Sequence, residues 1–207
     1  MPTSSAYNQA EDWSSLLVKV GECTKDKLEA YREHARHALE GSKEVGWAIP
    51  LGFAFWREDL YKESLEALVI AKDYENTYSE YNILLGMAAR KVPGKEEVAK
   101  KAYFRALKLE PCRPDIYYNL GNLIRDKKPD IAERSYLISL KYDDGTCYLT
   151  WHNLALALNE QLRHKEALKA FKKALIINPA HADGWCNAGL ALFGMDKFKD
   201  AIRYFRY

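Results

Sequence analysis

The sequence predicts an all-α fold made of repeated pairs of antiparallel helices. The stretches "YYNLGNLI", "WHNLALAL" and "WCNAGLAL" begin at 117, 151 and 185, and each combines an aromatic residue, an asparagine and a small or apolar pair. After each stretch, an alanine precedes an aromatic residue by four positions, a spacing that places both on one face of a helix. Helix, turn and helix therefore recur with a constant period, as in repeat solenoids.

Composition argues against several other classes of protein. The chain has 207 residues, of which 48% are hydrophobic, and its 31 basic residues nearly balance its 29 acidic ones. This balance argues against a surface for nucleic acid or anionic membranes. The amino terminus lacks the basic start and apolar core of a secretory signal, and no apolar run approaches the length of a membrane span. We therefore expect a cytoplasmic protein that does not insert into membranes.

No catalytic, metal-binding or cofactor-binding pattern is recognisable in the sequence. The four cysteines are scattered without a C-x-x-C pair, which indicates free, reduced thiols. His34 and His37 lie three positions apart, but no third ligand follows at the spacing of a metal site. Glycine-rich phosphate loops and serine-nucleophile motifs are absent as well. We expect no enzymatic activity, no catalytic residue, no metal and no cofactor.

The order of these positions resembles the tetratricopeptide repeat family. In that family an aromatic residue, a small residue, an alanine, a second aromatic residue and a proline recur with a period of about 34 residues. Here the pattern is clearest at Trp151, Leu154, Ala155 and Leu158 in the first helix, and at Ala167, Phe171, Ala174 and Pro179 in the second. The resemblance implies a right-handed superhelical solenoid, in which neighbouring repeats cover each other's apolar faces.

The same spacing divides the chain into a tail and six repeats. Gly121, Gly86 and Gly52 mark the small-residue position of the first helix and extend the frame backwards. The first repeat is degenerate, because Ser14 stands where the aromatic residue is expected. We place a polar tail at 1–10 and a solenoid at 11–207, with repeats at 11–44, 45–78, 79–113, 114–147, 148–181 and 182–207.

The sixth repeat is incomplete, because its second helix stops at Tyr207 without a closing turn. Solenoids usually end in a polar capping helix that covers the last apolar face. We therefore expect either that the chain is a fragment of a longer protein or that its exposed end pairs with another copy.

One face of the first helices is expected to line a concave groove. Asn119, Asn153 and Asn187 occupy one position in three consecutive repeats, and a side-chain amide can both donate to and accept from a peptide backbone. This arrangement resembles the asparagine ladder in the peptide-binding repeats of O-linked N-acetylglucosamine transferases. Alternatively, the amides support neighbouring turns or contact water. The candidate groove residues are Asn119, Asn122, Asn153, Leu156, Asn187 and Leu190.

A second candidate surface lies in "WAIPLGFAFW", residues 47 to 56. Trp47, Phe53 and Trp56 are apolar beyond what helix packing requires, and such a patch often marks a partner site. Alternatively, the degenerate first repeat covers these side chains.

These features predict a non-catalytic scaffold that binds a peptide or protein along its groove. One alternative is an amino-terminal, substrate-recruiting domain of a larger enzyme such as a glycosyltransferase. Another is an assembly factor or self-associating scaffold. The repeats do not name the partner, because they specify a scaffold rather than a ligand.

Overall fold

A computed structural model shows an all-helical chain within the residues that it describes, 48–72 and 76–206. The all-α class predicted from the sequence is confirmed for these ranges. The predicted first repeat at 11–44 and Trp47 lie outside the described residues. The described helices are α1 (Ala48–Arg57), α2 (Tyr61–Ile70), α3 (Ser79–Lys91), α4 (Glu96–Leu109), α5 (Pro114–Ile124), α6 (Pro129–Tyr142), α7 (Tyr148–Glu160), α8 (His164–Ile177), α9 (Ala182–Phe193) and α10 (Phe198–Tyr204).

The chain divides into two compact units, Met1–Glu110 and Pro111–Tyr207. In the first unit, α1 packs on α2 and α3 packs on α4. In the second unit, the pairs are α5 with α6, α7 with α8, and α9 with α10. The described part of each unit is therefore a set of consecutive helix pairs, and the candidate groove residues all belong to the second unit.

Small residues allow the two helices of a pair to approach closely. A Cβ atom placed on Gly121 of α5 would lie 2.5 Å from the ring of Tyr136 on α6. Gly189 and Phe205 show the same relation in the last pair. In the pair between them, Ala167 is fully buried. The small-residue positions recognised in the sequence therefore mark the contact line of each pair.

The turns inside most pairs contain one residue in the left-handed region. Asp59, Leu162 and Asp196 have φ values of 60°, 61° and 58°, and Gly94 has a φ of 79°. Between α5 and α6, by contrast, the N-cap residue Lys128 has a φ of −146°, outside the left-handed region. Residues other than glycine are strained in the left-handed region, so the turns at Asp59, Leu162 and Asp196 store a small amount of conformational energy.

One hydrophobic core runs through the second unit and joins successive pairs. Tyr136 of α6 and Phe171 of α8 are fully buried in this core, together with Leu154 of α7. At its edge, the Arg163 guanidinium lies 2.6 Å from the Glu133 carboxylate of the preceding pair. The core and this ion pair hold α7 and α8 against the preceding pair, which orients the first helices that carry the candidate groove.

Candidate peptide-binding groove

The three asparagines that share one repeat position have different surroundings. Asn119 is only 8% exposed, and its Nδ2 donates to the backbone oxygen of Asp115 one turn earlier in α5, at 2.9 Å. Asn153 on α7 and Asn187 on α9 are half-buried. The repeat position is therefore preserved along the chain, but the availability of the amide to a ligand changes from one helix to the next.

Asn153 lies at the centre of a hydrogen-bonded network between α5 and α7. Its Nδ2 donates to the Tyr118 hydroxyl and to the Asn122 Oδ1, both at 3.0 Å. The Asn122 Oδ1 also accepts a 2.9 Å hydrogen bond from the hydroxyl of Tyr136 on α6. The amides of Asn122 and Asn153 therefore bind three helices of the second unit to one another.

Arg125, which follows α5, extends this network toward two carboxylates, those of Asp126 and Glu160. Its guanidinium lies 3.3 Å from Glu160 on α7 and 3.3 Å from Asp126, and its Nη1 lies 3.5 Å from the Asn153 Oδ1. Partial burial raises the pKa of Glu160 above its ordinary value, although the positive charge of Arg125 acts in the opposite direction. Sequence reasoning missed Arg125, because no repeat position distinguishes it from an ordinary surface arginine.

The exposed apolar side chains near the candidate groove residues lie on α7 and α9. Leu190 is 49% exposed, and Leu149 is exposed as well. Leu156 is half-buried and packs against the hydrophobic core. We call the side chains of these three leucines and Asn187, with the carboxylates of Asp126 and Glu160, the candidate groove face, or groove face for short.

Two histidines meet between α7 and the start of α9. The Nδ1 of His152 on α7 lies 3.3 Å from the Nε2 of His181, the residue that precedes α9. His152 is 7% exposed, and its ring lies edge-on to Phe171, with centroids 5.4 Å apart. The pKa of His152 is lowered to about 4, mainly by burial and secondly by repulsion from His181. The sequence contains no signal for this pair, since the two residues lie in different helix pairs.

The second candidate surface belongs to the first unit. Phe53 and Trp56 on α1 are half-buried, and their rings are stacked with centroids 6.3 Å apart and an interplanar angle of 14°. These two rings therefore cover part of each other rather than presenting two separate apolar faces.

Metal-binding and membrane-spanning features were also sought among residues 48–72 and 76–206. Within these ranges, histidines, cysteines and carboxylates do not gather in groups of three that could hold a metal ion. Cys112, Cys147 and Cys186 are free thiols, as the sequence predicts. Among the described helices, none is both long and apolar enough to cross a bilayer.

Comparison with known sequences gives a family and two curated relatives. The sequence model of the tetratricopeptide repeat family matches residues 148–181. The human protein O-mannosyl-transferase TMTC3 is 24% identical over 211 residues, which is 95% of this chain and 22% of that protein. The mouse protein of the same name is 32% identical over 193 residues, which is 86% of this chain and 20% of that protein. The chain therefore spans about a fifth of the length of these relatives.

Solved structures with the same fold come from diverse proteins. MamA from Desulfovibrio magneticus has a TM-score of 0.65 at 19% identity, with 89% of this chain and 94% of that chain covered. PilF from Pseudomonas aeruginosa has a TM-score of 0.66 at 18% identity, with 84% and 74% covered. The Cut9–Hcn1 complex of the APC/C has a TM-score of 0.71 at 16% identity, with 86% and 36% covered. At these identities the likeness concerns the fold alone.

The helix pairs, their small-residue contacts and the comparisons agree with one another. Repeats of this kind indicate a protein-interaction scaffold, because each pair extends a surface rather than enclosing a reaction centre. Residues 148–181 therefore match a tetratricopeptide repeat, and the described helix pairs have the corresponding fold.

Proposed function

We propose that this chain is a non-catalytic scaffold that binds an extended segment of a partner protein along the groove face. The observation that carries this proposal is the contrast between bound and open side chains on the first helices. The amides of Asn122 and Asn153 are engaged within the fold, whereas Leu190 is half-exposed on α9. We infer that the network forms a rigid wall, and that the neighbouring side chains of α7 and α9 contact the partner.

The groove face favours a partner segment with apolar and basic residues. Leu149 and Leu190 offer exposed apolar area, and the burial of such area is the main favourable term in peptide association. Asp126 and Glu160 add carboxylates that share one guanidinium, that of Arg125. A Lys or Arg of the partner would complete this charge balance, and Asn187 would contribute a hydrogen bond to the partner's backbone.

Site-specific photo-crosslinking in cells tests the proposed surface. A photoreactive side chain at Leu190 samples the groove face, whereas one at Ile176 on α8, which is 78% exposed, samples a second helix. We expect position 190 to give a crosslinked product of one defined mass, and position 176 to give no product of the same mass. The same partner captured equally from both positions would contradict the groove assignment.

A second candidate is supported by the similarity to protein O-mannosyl-transferases. The mouse relative is 32% identical over 86% of this chain. On this view the repeats recruit protein substrates for a transferase, while another part of the same polypeptide carries out the reaction. Sequencing of the full transcript tests this view: it requires a transferase domain in the same reading frame, and a frame without one would rule it out.

Self-association is a third candidate, supported by exposed apolar side chains on the last helix pair. Phe193, Phe198 and Ile202 are all about half-exposed. Burial of these side chains against a second copy would remove a large apolar area from water. Sedimentation velocity over a wide range of concentration, with Ile202→Asp as the comparison, tests this candidate. A mass that stays monomeric throughout would contradict it.

A further inference from the structure

The histidine pair joins two consecutive helix pairs of the second unit. His152 belongs to α7, and His181 is the N-cap residue of α9. Their rings are 4.6 Å apart and inclined by 77°. Phe171 of α8 packs on His152, and Tyr148 packs on the other ring with centroids 5.1 Å apart. The pair is therefore a polar contact within an aromatic cluster.

The contact between the two imidazoles requires that one ring nitrogen keeps its lone pair. A neutral pair satisfies this condition, since one ring donates an N–H and the other accepts it. A pair with one added proton satisfies it as well. When both rings are protonated, all four nitrogens carry hydrogen, so the 3.3 Å contact between Nδ1 and Nε2 becomes a contact between two positive donors.

The charged groups around His152 do not remove this conflict. Asp183 on α9 favours the protonated form, whereas Arg125, which follows α5, opposes it. The Phe171 ring from α8 carries no charge. Burial outweighs the carboxylate, so the pKa of His152 falls from its ordinary 6.5 to about 4. Between these values the unfolded segment binds a proton more readily than the folded one, so stability falls as the pH falls.

We propose that the His152–His181 contact is an acid-sensitive joint that holds the start of α9 on α7 at neutral pH and releases the α9–α10 pair when both rings are protonated. The preceding pair, α7 and α8, stays folded at the same pH, because its large side chains Leu154 and Phe171 share a core with Tyr136 of α6, whereas the fully buried side chains that α9 adds to this core are only those of Ala188 and Ala191. The released surface includes the α9 side of the groove face.

Amide hydrogen exchange, corrected for the intrinsic rate at each pH, tests the joint. Between about pH 7 and about pH 5, we expect the opening of residues 182–193 to increase on the order of tenfold more than that of residues 164–177. His181→Asn removes one imidazole but supplies a favourable N-cap residue, so the fold at neutral pH is kept. In this variant the additional acid opening should become smaller, because the repulsion from His181 is gone, while the burial of His152 still disfavours its protonated form.

His164→Gln is the matched control, because His164 contacts Asn159 rather than another histidine. We expect this variant to keep the acid response of the unmodified chain. Equal opening of both segments at the lower pH would overturn the joint, and so would a response that is undiminished in His181→Asn or is lost in His164→Gln.

A second measurement does not depend on any variant. The ring-proton NMR signals of His152 should report protonation only near pH 4, together with the loss of native signals from α9. Protonation of His152 near its ordinary pKa, with the α9 signals unchanged, would overturn the proposal.

Discussion

Asn153 of α7 donates a 3.0 Å hydrogen bond to the hydroxyl of Tyr118 on α5, so an amide at a predicted ligand-binding position joins two repeats. The same Nδ2 also donates to Asn122. The partner-binding and structural roles of the asparagines can therefore be separated by mutating them one at a time.

Asn153→Ala should lower the free energy of unfolding by about 1–3 kcal/mol, because it leaves part-buried partners at Tyr118 and Asn122 without their donor. Asn187→Ala should change it by less than about 0.5 kcal/mol, since Asn187 lies outside the network of Asn153, Tyr118 and Asn122. Urea unfolding followed by circular dichroism measures both values. Equal losses for the two variants would show that the network does not stabilise the fold.

For binding to the crosslinked partner we expect the opposite order of effects: the change at Asn187 should matter more than the change at Asn153. Asn187→Ala should weaken the complex by about 0.5–1.5 kcal/mol through the loss of one backbone hydrogen bond. The triple variant, with Asn119, Asn153 and Asn187 changed to Ala, should also bind more weakly. Its loss of binding free energy should not exceed the loss in Asn187→Ala plus the loss of folding free energy in the triple variant. Isothermal titration calorimetry with the purified partner provides the comparison, and unchanged affinity in both variants would exclude the amides from recognition.

Ala167→Leu should destabilise the chain by about 1–3 kcal/mol, because Ala167 is fully buried between α7 and α8 and the added atoms have no space. Glu160→Leu is the comparison on the groove face, where the side chain is exposed. It removes one surface ion pair with Arg125, so we expect a loss below about 1 kcal/mol. Thermal unfolding followed by circular dichroism distinguishes the two, and similar melting temperatures would invalidate the assignment of faces.

Leu162→Gly should stabilise the chain by about 0.5–1 kcal/mol. Leu162 has a φ of 61° and is 77% exposed, so glycine relieves backbone strain without removing a buried contact. Lys127→Gly is the matched control, because Lys127 takes the place of Leu162 in the α5–α6 turn, one residue before the N-cap, but does not have a positive φ, so glycine offers no relief there. We expect the control to be neutral or destabilising in urea unfolding, and a stabilised control would show that strain is not the cause.

Residues 198–204 should exchange amide hydrogen much faster than residues 164–177. In α10 only Ala201 is buried, whereas α8 buries Ala167, Ala170, Phe171, Ala174 and Leu175. Helices with few buried contacts open by local unfolding more often. Exchange measured on dilute chain at neutral pH makes the comparison, and equal protection in the two helices would contradict it.

The sequence by itself determined the helix pairs and their contact lines. An aromatic residue, a small residue and an alanine recur at helical spacing, and this pattern alone places Gly121 and Ala167 where two helices touch. Such positions are predictable because helix geometry is local, and because the same packing problem is solved once per repeat. The free thiols in the described residues and the all-α class follow from the same kind of local information.

Only the tertiary structure decided which contacts the side chain at each groove position makes. Asn119, Asn153 and Asn187 share one place in the repeat, but their contacts depend on neighbours such as Tyr118 and Arg125, which do not repeat. The contact of His152 with His181 likewise joins residues 29 positions apart in different helix pairs. Hydrogen bonding and proton binding depend on which side chains packing brings within about 3 Å and on how far water is excluded. Periodicity in the sequence carries neither piece of information, so the repeats predict the scaffold, and the packing between them decides its chemistry.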